Sequence, residues 1–184
     1  INSGSSSLKY QVIDTDNDQS LLAGTIERVS DHAAAISEMA QALDSSGVNP
    51  VAVAHRVVHG GEKFSAPVVI DQQVEKEIEE LVPLAPLHNP ANLAGILAAR
   101  ELFPELTQVA VFDTAFHQSM PESSYRYAIS KEVADKHSIR RYGFHGSSHS
   151  YVSRKAAEYL GVAAADFNAI ILHLGNGASA CAIR

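Results

Sequence analysis

The amino terminus, Ile1-Asn2-Ser3-Gly4-Ser5-Ser6-Ser7-Leu8-Lys9-Tyr10, is a glycine and serine turn that feeds directly into a strand. About 170 residues later a second such turn, Leu174-Gly175-Asn176-Gly177-Ala178-Ser179, follows the apolar run Ala169 to Leu174. Small residues let backbone N–H groups approach an anion closely, hydroxyls add donors, and a lysine such as Lys9 supplies a point charge. Two turns of this kind are what a phosphate cleft needs. Each alone has a plainer reading: the first lacks the P-loop spacing and leads into a strand, so a serine-rich bend explains it equally well, and Asn-Gly is also the favoured two-residue hairpin turn.

The chain is long enough to bury a core: 184 residues, 46% of them hydrophobic, make one domain with the start of another. A formal charge of −7 and a pI near 5.7 argue against a general nucleic-acid or membrane-surface role, which would need a basic face. The single cysteine, Cys181, excludes an intramolecular disulfide, and no stretch resembles a membrane span or a signal peptide. A cytoplasmic setting is expected. Ile1 reads as the last apolar residue of a strand whose earlier half is absent, and the final hairpin needs partners beyond Arg184, so a fragment of a longer protein is expected.

Alternation from Leu8 to Asp14, a polar turn, and a second strand from Leu21 to Val29 predict a hairpin buried on one face. Ser30 is expected to cap a helix carrying Ile36, Met39 and Leu43 that ends near Gly47. The strand Val51 to Ala54 then runs into a loop, His55-Arg56-Val57-Val58-His59-Gly60-Gly61. Asp71 caps a helix stopped by Pro83, and Asn89-Pro90 opens another with Leu93, Ile96 and Leu97 inward. Val109 to Phe112 is a buried strand ending on Asp113, the end where open α/β sheets place their chemistry. A short helix near Lys131 to His137 precedes Arg140-Arg141-Tyr142-Gly143-Phe144-His145-Gly146, and a last helix on Val152, Ala156 and Tyr159 ends at Gly161.

Five loops thus carry side chains suited to phosphoryl or carboxylate chemistry: Arg56, His88, Asp113, His145 and Asn176. A guanidinium can hold a small acid through two hydrogen bonds, although a structural arginine paired with a carboxylate is the competing reading. Nine histidines invite a zinc reading, but His55 and His59 sit in a loop and no cysteine or carboxylate cluster completes a ligand set. His32, His137 and His149 read as solvent or capping residues, and His117 as either.

Taken together, INSGSSSLKY, HRVVHGGEKF, LAPLHNP, AVFDTAFH, RRYGFHGSSH and HLGNGAS resemble the amino-terminal part of the acetate kinases, the acetokinase family, in order and along essentially the whole chain. The resemblance implies an α/β fold of the acetate and sugar kinase, Hsp70 and actin superfamily (actin-like, RNase H-like), a mixed sheet with flanking helices. It implies an amino-terminal acetate-binding domain over residues 1–160. Residues 161–184 would be a linker and the first hairpin of a second, nucleotide-binding domain whose remainder is missing. It also implies reversible transfer of the ATP γ-phosphoryl group to acetate with Mg2+, and a homodimer in the full-length protein.

Carried over by position, Asn2 matches a magnesium-linked asparagine, and Ser5, Ser7 and Lys9 the phosphate side of the first turn. Arg56 matches the carboxylate-binding arginine, Asp113 an essential aspartate described as acid/base or magnesium organiser, His145 the transition-state histidine and His88 a supporting one. Val58, Leu87 and Phe144 match the methyl pocket; propionate kinases carry alanine where this chain has Val58. His173, Leu174, Gly175, Asn176 and Gly177 match the ATP phosphate turn. A downstream arginine and glutamate of the family have no counterpart here. A propionate or butyrate kinase, or a catalytically silent acid-binding half-enzyme, are the alternatives.

Overall fold

A computed structural model describes residues 1–184. The chain divides into two compact units, Ile1–Gly60 with Pro67–Phe112, and Gly61–Ala66 with Asp113–Arg184.

The first unit opens with β1 (Asn2–Ser3), β2 (Ser7–Asp14) and β3 (Gln19–Glu27), an antiparallel sheet in the order β1-β2-β3. The turn between β1 and β2 is closed by the Gly4 N–H donating to the Ser7 carbonyl at 2.8 Å. α1 (His32–Ser46) is capped by Asp31, whose carboxylate accepts from the Ala33 and Ala34 N–H groups, and not by Ser30. The shift by one residue brings His32 Nε2 to the Gly4 carbonyl at 3.1 Å, tying the helix start to the glycine turn. Gly47 ends the helix at φ 69°, in the left-handed region.

β4 (Ala52–Val57) runs parallel to β6 (Thr107–Phe112), and β5 (Val68–Val69) lies antiparallel on the other side of β6, making a mixed sheet. β4 is longer than its apolar run, so His55 and Arg56 lie in the strand rather than in a loop. The Ile1 amino group donates to the Ala54 carbonyl at 2.7 Å and the Arg56 N–H to the Ile1 carbonyl at 3.0 Å, continuing backbone pairing from β4 to the start of β1. α2 (Gln72–Glu80) is capped by Asp71, and α3 (Asn89–Leu102) carries Pro90 in its first turn. Ile96 and Ala99 of α3 are buried, whereas Leu97 is exposed. The core gathers Leu8, Ala35, Ile36, Met39, Leu43 and Ala99.

In the second unit, α4 (Glu122–Tyr125) and α5 (Lys131–Lys136) are short, and α6 (Gly146–Leu160) is the one long helix. Its inward face is Gly146, His149, Ser153 and Ala157, while Val152 and Tyr159, read from the sequence as its apolar stripe, are exposed. Gly161 ends it at φ 65°. β7 (Ala169–Leu174) and β8 (Ala178–Ile183) form the antiparallel hairpin that carries the second glycine turn. No helix of the chain is long and apolar enough to cross a membrane.

Truncating fully buried Leu8 to alanine removes a side chain from the centre of the first core and is expected to cost about 2–5 kcal/mol in urea unfolding, against below about 1 kcal/mol for half-exposed Ile13. A second expectation concerns His55, which is buried and donates from Nε2 to Gln108 Oε1 at 2.8 Å. Burial, outweighing that hydrogen bond, pushes its pKa down to about 4, and the amino-terminal charge acts in the same direction. The unfolded chain therefore binds a proton that the folded one refuses. This contribution to stability is complete above about pH 6.5 and is lost as pH falls toward 4, by roughly 3 kcal/mol. Urea midpoints measured between pH 7 and 4 should fall accordingly, and the fall should flatten in His55→Gln; a midpoint insensitive to pH would refute the assignment.

Candidate active site

In the first unit the residues read as acid- and phosphate-binding lie along β1, β2, β4 and the start of α3. The Arg56 Nη1 donates to Asn2 Oδ1 at 3.4 Å, so the structure brings these two candidates together. Lys9 stands opposite Asn2 in the β1–β2 register and is exposed, as is Ser5; Ser7 is half-buried.

What fixes the loop after β4 is a pair of asparagines. Asn89 receives the His59 N–H at 3.1 Å and donates to the His59 carbonyl at 3.0 Å, a two-point clamp on one residue. Asn92, one turn further along α3, accepts from the Val58 N–H at 3.0 Å and donates to the Ser3 carbonyl at 2.6 Å, linking that loop to the first turn. Both are buried, and buried amides must be satisfied. Sequence reading gave Asn89 only a helix-opening role and missed Asn92; their i, i+3 spacing on one helix face was the available signal. Val58 is half-buried, while Leu87 and His88, on the turn leading into α3, are exposed.

In the second unit Asp113 directly follows β6 and is 2% exposed. Its carbonyl accepts from the Gly146 N–H at 2.9 Å, which anchors the start of α6. A Cβ at 146 would lie 2.3 Å from that carbonyl oxygen, so only glycine permits the approach. His145 precedes the helix at φ 56°, a left-handed conformation that costs a side-chain-bearing residue about 1–3 kcal/mol and persists only where the surroundings impose it.

Four imidazoles meet here. His145 stacks on His173 at 4.0 Å between centroids with an interplanar angle of 21°. His145 Nδ1 and His149 Nε2 lie 2.8 and 2.9 Å from the same Ser179 hydroxyl, and His173 Nδ1 lies 2.9 Å from Ser148 Oγ. His117 Nε2 sits 3.0 Å from the Phe144 carbonyl, which can only accept, so that nitrogen carries the hydrogen. His149, expected at the surface, is 0% exposed. Burial lowers its pKa, and the neighbouring His117, His145 and His173 lower it further. Its position four residues after His145 placed it on the same side of the helix, a signal the sequence reading passed over. Burial also raises the Cys181 thiol, whose Sγ is 3.9 Å from His117 Nδ1.

Leu174, Gly175, Asn176 and Gly177 are exposed at the tip of the β7–β8 hairpin, with the Gly175 N–H donating to the Gly177 carbonyl at 3.1 Å. The bend thus spans three residues between strands, not two. A Cβ on Gly177 would stand 3.4 Å from His145 Nε2, so the turn borders that ring. Asp113, Phe144, His145, His173 and the turn belong to one unit; Asn2, Arg56, Val58, Leu87 and His88 belong to the other.

The sequence profile of the Acetokinase family matches residues 26–184. The acetate kinase of Streptomyces coelicolor is 52% identical across 100% of this chain and 52% of its own length, and that of Oceanobacillus iheyensis 46% identical across 100% of this chain and 53% of its own. Among solved structures, Porphyromonas gingivalis acetate kinase superposes with a TM-score of 0.91 at 42% identity, and a propionate kinase from Francisella tularensis with 0.92 at 41%; each match covers 98% of this chain and 53% of the other. The chain spans about half the length of the relatives it matches. The mixed α/β architecture expected from the sequence is the one these kinases have. On profile, identity and superposition together, the chain is a member of the acetokinase family.

Proposed function

We propose that this chain supplies the acid-binding half and two phosphate-facing turns of an acetate kinase, which moves the γ-phosphoryl group of ATP reversibly to acetate, giving acetyl phosphate and ADP. The observation that carries the reading is the assembly of Asp113, His145, His173 and the Gly175–Gly177 turn around the start of α6 in a family member whose relatives are acetate kinases.

Acetate is already ionised at pH 7, so the chemistry needs no strong base. It needs the acid held and oriented, and the charge on the transferred group neutralised. Arg56 is assigned the carboxylate, with Asn2 Oδ1 orienting the guanidinium from behind. Ser5, Ser7, Lys9 and the Gly175–Gly177 turn are assigned the phosphates of ATP, and His88 a supporting place near the acetyl group. His145 is assigned a hydrogen bond to the transferred phosphoryl oxygens, worth about 2–4 kcal/mol in the transition state.

Mg2+ takes oxygen ligands, mostly one or two carboxylates plus substrate phosphates. Asp113, a buried carboxylate beside the α6 start, fits that donor chemistry and would hold the ion. Asn2 offers an amide oxygen, but that oxygen already accepts from Arg56, so it is the weaker donor of the two. When bound, the ion would neutralise charge on the phosphates.

The division into an acid-binding domain over residues 1–160 and the opening of a nucleotide domain over 161–184 is part of the same proposal, with β7 and β8 gaining further strands in the whole enzyme. So are its homodimeric state and its cytoplasmic setting. Exposed Ile170, Leu172 and Leu174 on β7 support burial of that face in the complete molecule.

Acetate, ATP, Mg2+ and hydroxylamine should yield no acetohydroxamate with the 184-residue chain alone, in line with a half-enzyme. They should yield it once the other half of the Streptomyces coelicolor acetate kinase is joined on. Failure of the joined protein, folded, to form acetohydroxamate would reject the reading.

A second reading, propionate kinase, draws on the Francisella neighbour. Val58 bears on it, because a larger residue there leaves less room for an added methylene. Val58→Ala in the joined protein should raise the kcat/KM for propionate relative to acetate by roughly tenfold, the scale of one methylene in an apolar pocket. A parent already faster on propionate would select the second reading.

A further inference from the structure

We propose that Ser179 is a positioning residue that fixes the tautomer of His145, placing its ring hydrogen on Nε2 beside the Gly175–Gly177 turn. The Ser179 hydroxyl lies 2.8 Å from His145 Nδ1 and 2.9 Å from His149 Nε2. A hydroxyl has one hydrogen and two lone pairs, so at most one of two imidazoles sharing it can receive the O–H, and the arrangement that uses the hydrogen between them has one ring receive it while the other donates its N–H.

His149 decides which. Its ring is fully buried, and its other nitrogen, Nδ1, has no hydrogen-bond partner. Were the hydrogen on Nδ1, an N–H donor would be sealed in the interior unpaired; with the hydrogen on Nε2, only a lone pair is left unmet. Orphaned buried N–H groups are the rarer outcome and carry a desolvation penalty. The crowding of His117, His145 and His173 against His149 disfavours a second proton there, which would in any case bury a donor on Nδ1.

The hydrogens therefore run in one direction. His149 Nε2–H donates to Ser179 Oγ, the Ser179 O–H donates to His145 Nδ1, and His145 is left with its hydrogen on Nε2, the nitrogen 3.4 Å from where a Cβ on Gly177 would stand. The stack on His173 holds the ring plane while the serine fixes its tautomer. The value of this for phosphoryl transfer rests on the function proposed above, since a donor on Nε2 is what that role of His145 requires. The tautomer itself does not rest on it.

Long-range 15N–1H spectra of the histidine side chains of the 184-residue chain, taken at neutral pH without substrate, read both ring nitrogens of His145. We expect the shift of an unprotonated Nδ1 and a protonated Nε2. In Ser179→Ala the two nitrogens should move toward averaged shifts, as both tautomers become populated, and Ser179→Thr, which keeps the hydroxyl, should restore the single form. A His145 hydrogen on Nδ1 in the unaltered chain would overturn the proposal, as would an unmoved tautomer in folded Ser179→Ala. Should the alanine variant fail to fold, the spectra of the unaltered chain and of Ser179→Thr still decide. Because no phosphoryl donor is present, this outcome is independent of the hydroxamate assay, so the tautomer and the kinase reading stand or fall separately.

Discussion

The hydrogen bond from the Gly146 N–H to the Asp113 carbonyl is the constraint from which the second unit is organised. It joins the residue that follows β6 to the first residue of α6, and so fixes the carboxylate-bearing position and the imidazole-bearing one by backbone geometry. Glycine at 146 is demanded by contact, and His145 pays for the tight entry with a left-handed φ of 56°. Once α6 starts there, its 3.6-residue period carries His149 to the inward face, under His145 and against Ser179 of β8. The second glycine turn is thereby edged by an imidazole that the first helical turn has oriented.

The first unit reaches a similar end by different means. There the candidate groups stand on strands and turns, and order comes from amides on α3. Asn89 and Asn92 hydrogen-bond the backbone of residues 58 and 59 and of Ser3. The loop after β4, Val58 included, is thereby tied to α3 by side-chain amides. Removing either amide would break these bonds to the backbone, so the asparagines act on the site through the backbone.

Much of this was legible in the sequence where one residue type answers one local demand. Asp71 as a cap, Gly161 as a left-handed helix end and Asp113 at the carboxyl end of an apolar strand are each dictated within a few residues. The six motifs carried family and fold for the same reason. What escaped was set by tertiary packing. The stripe of α6 was read as Val152, Ala156 and Tyr159, yet the buried face is His149, Ser153 and Ala157, because the helix packs through small and polar side chains on β7 and hydrophobicity gave the wrong phase. His55 follows the apolar run and reads as loop, whereas a buried glutamine on β6 lets the strand continue through it.

His149 is the sharper case. A histidine in a serine-rich stretch reads as surface, and only its spacing of four from His145 hints otherwise. Its burial becomes intelligible only with Ser179, thirty residues away, as its partner. A buried imidazole with one satisfied nitrogen is costly unless its presence orders something else, and the group it orders is His145. Burial and the neighbouring imidazoles disfavour charge on His149, and a neutral ring has a tautomer that must be chosen. Burial disfavours charge on His149, the serine between the two rings links its tautomer to that of His145, and the left-handed backbone at 145 aims the ring.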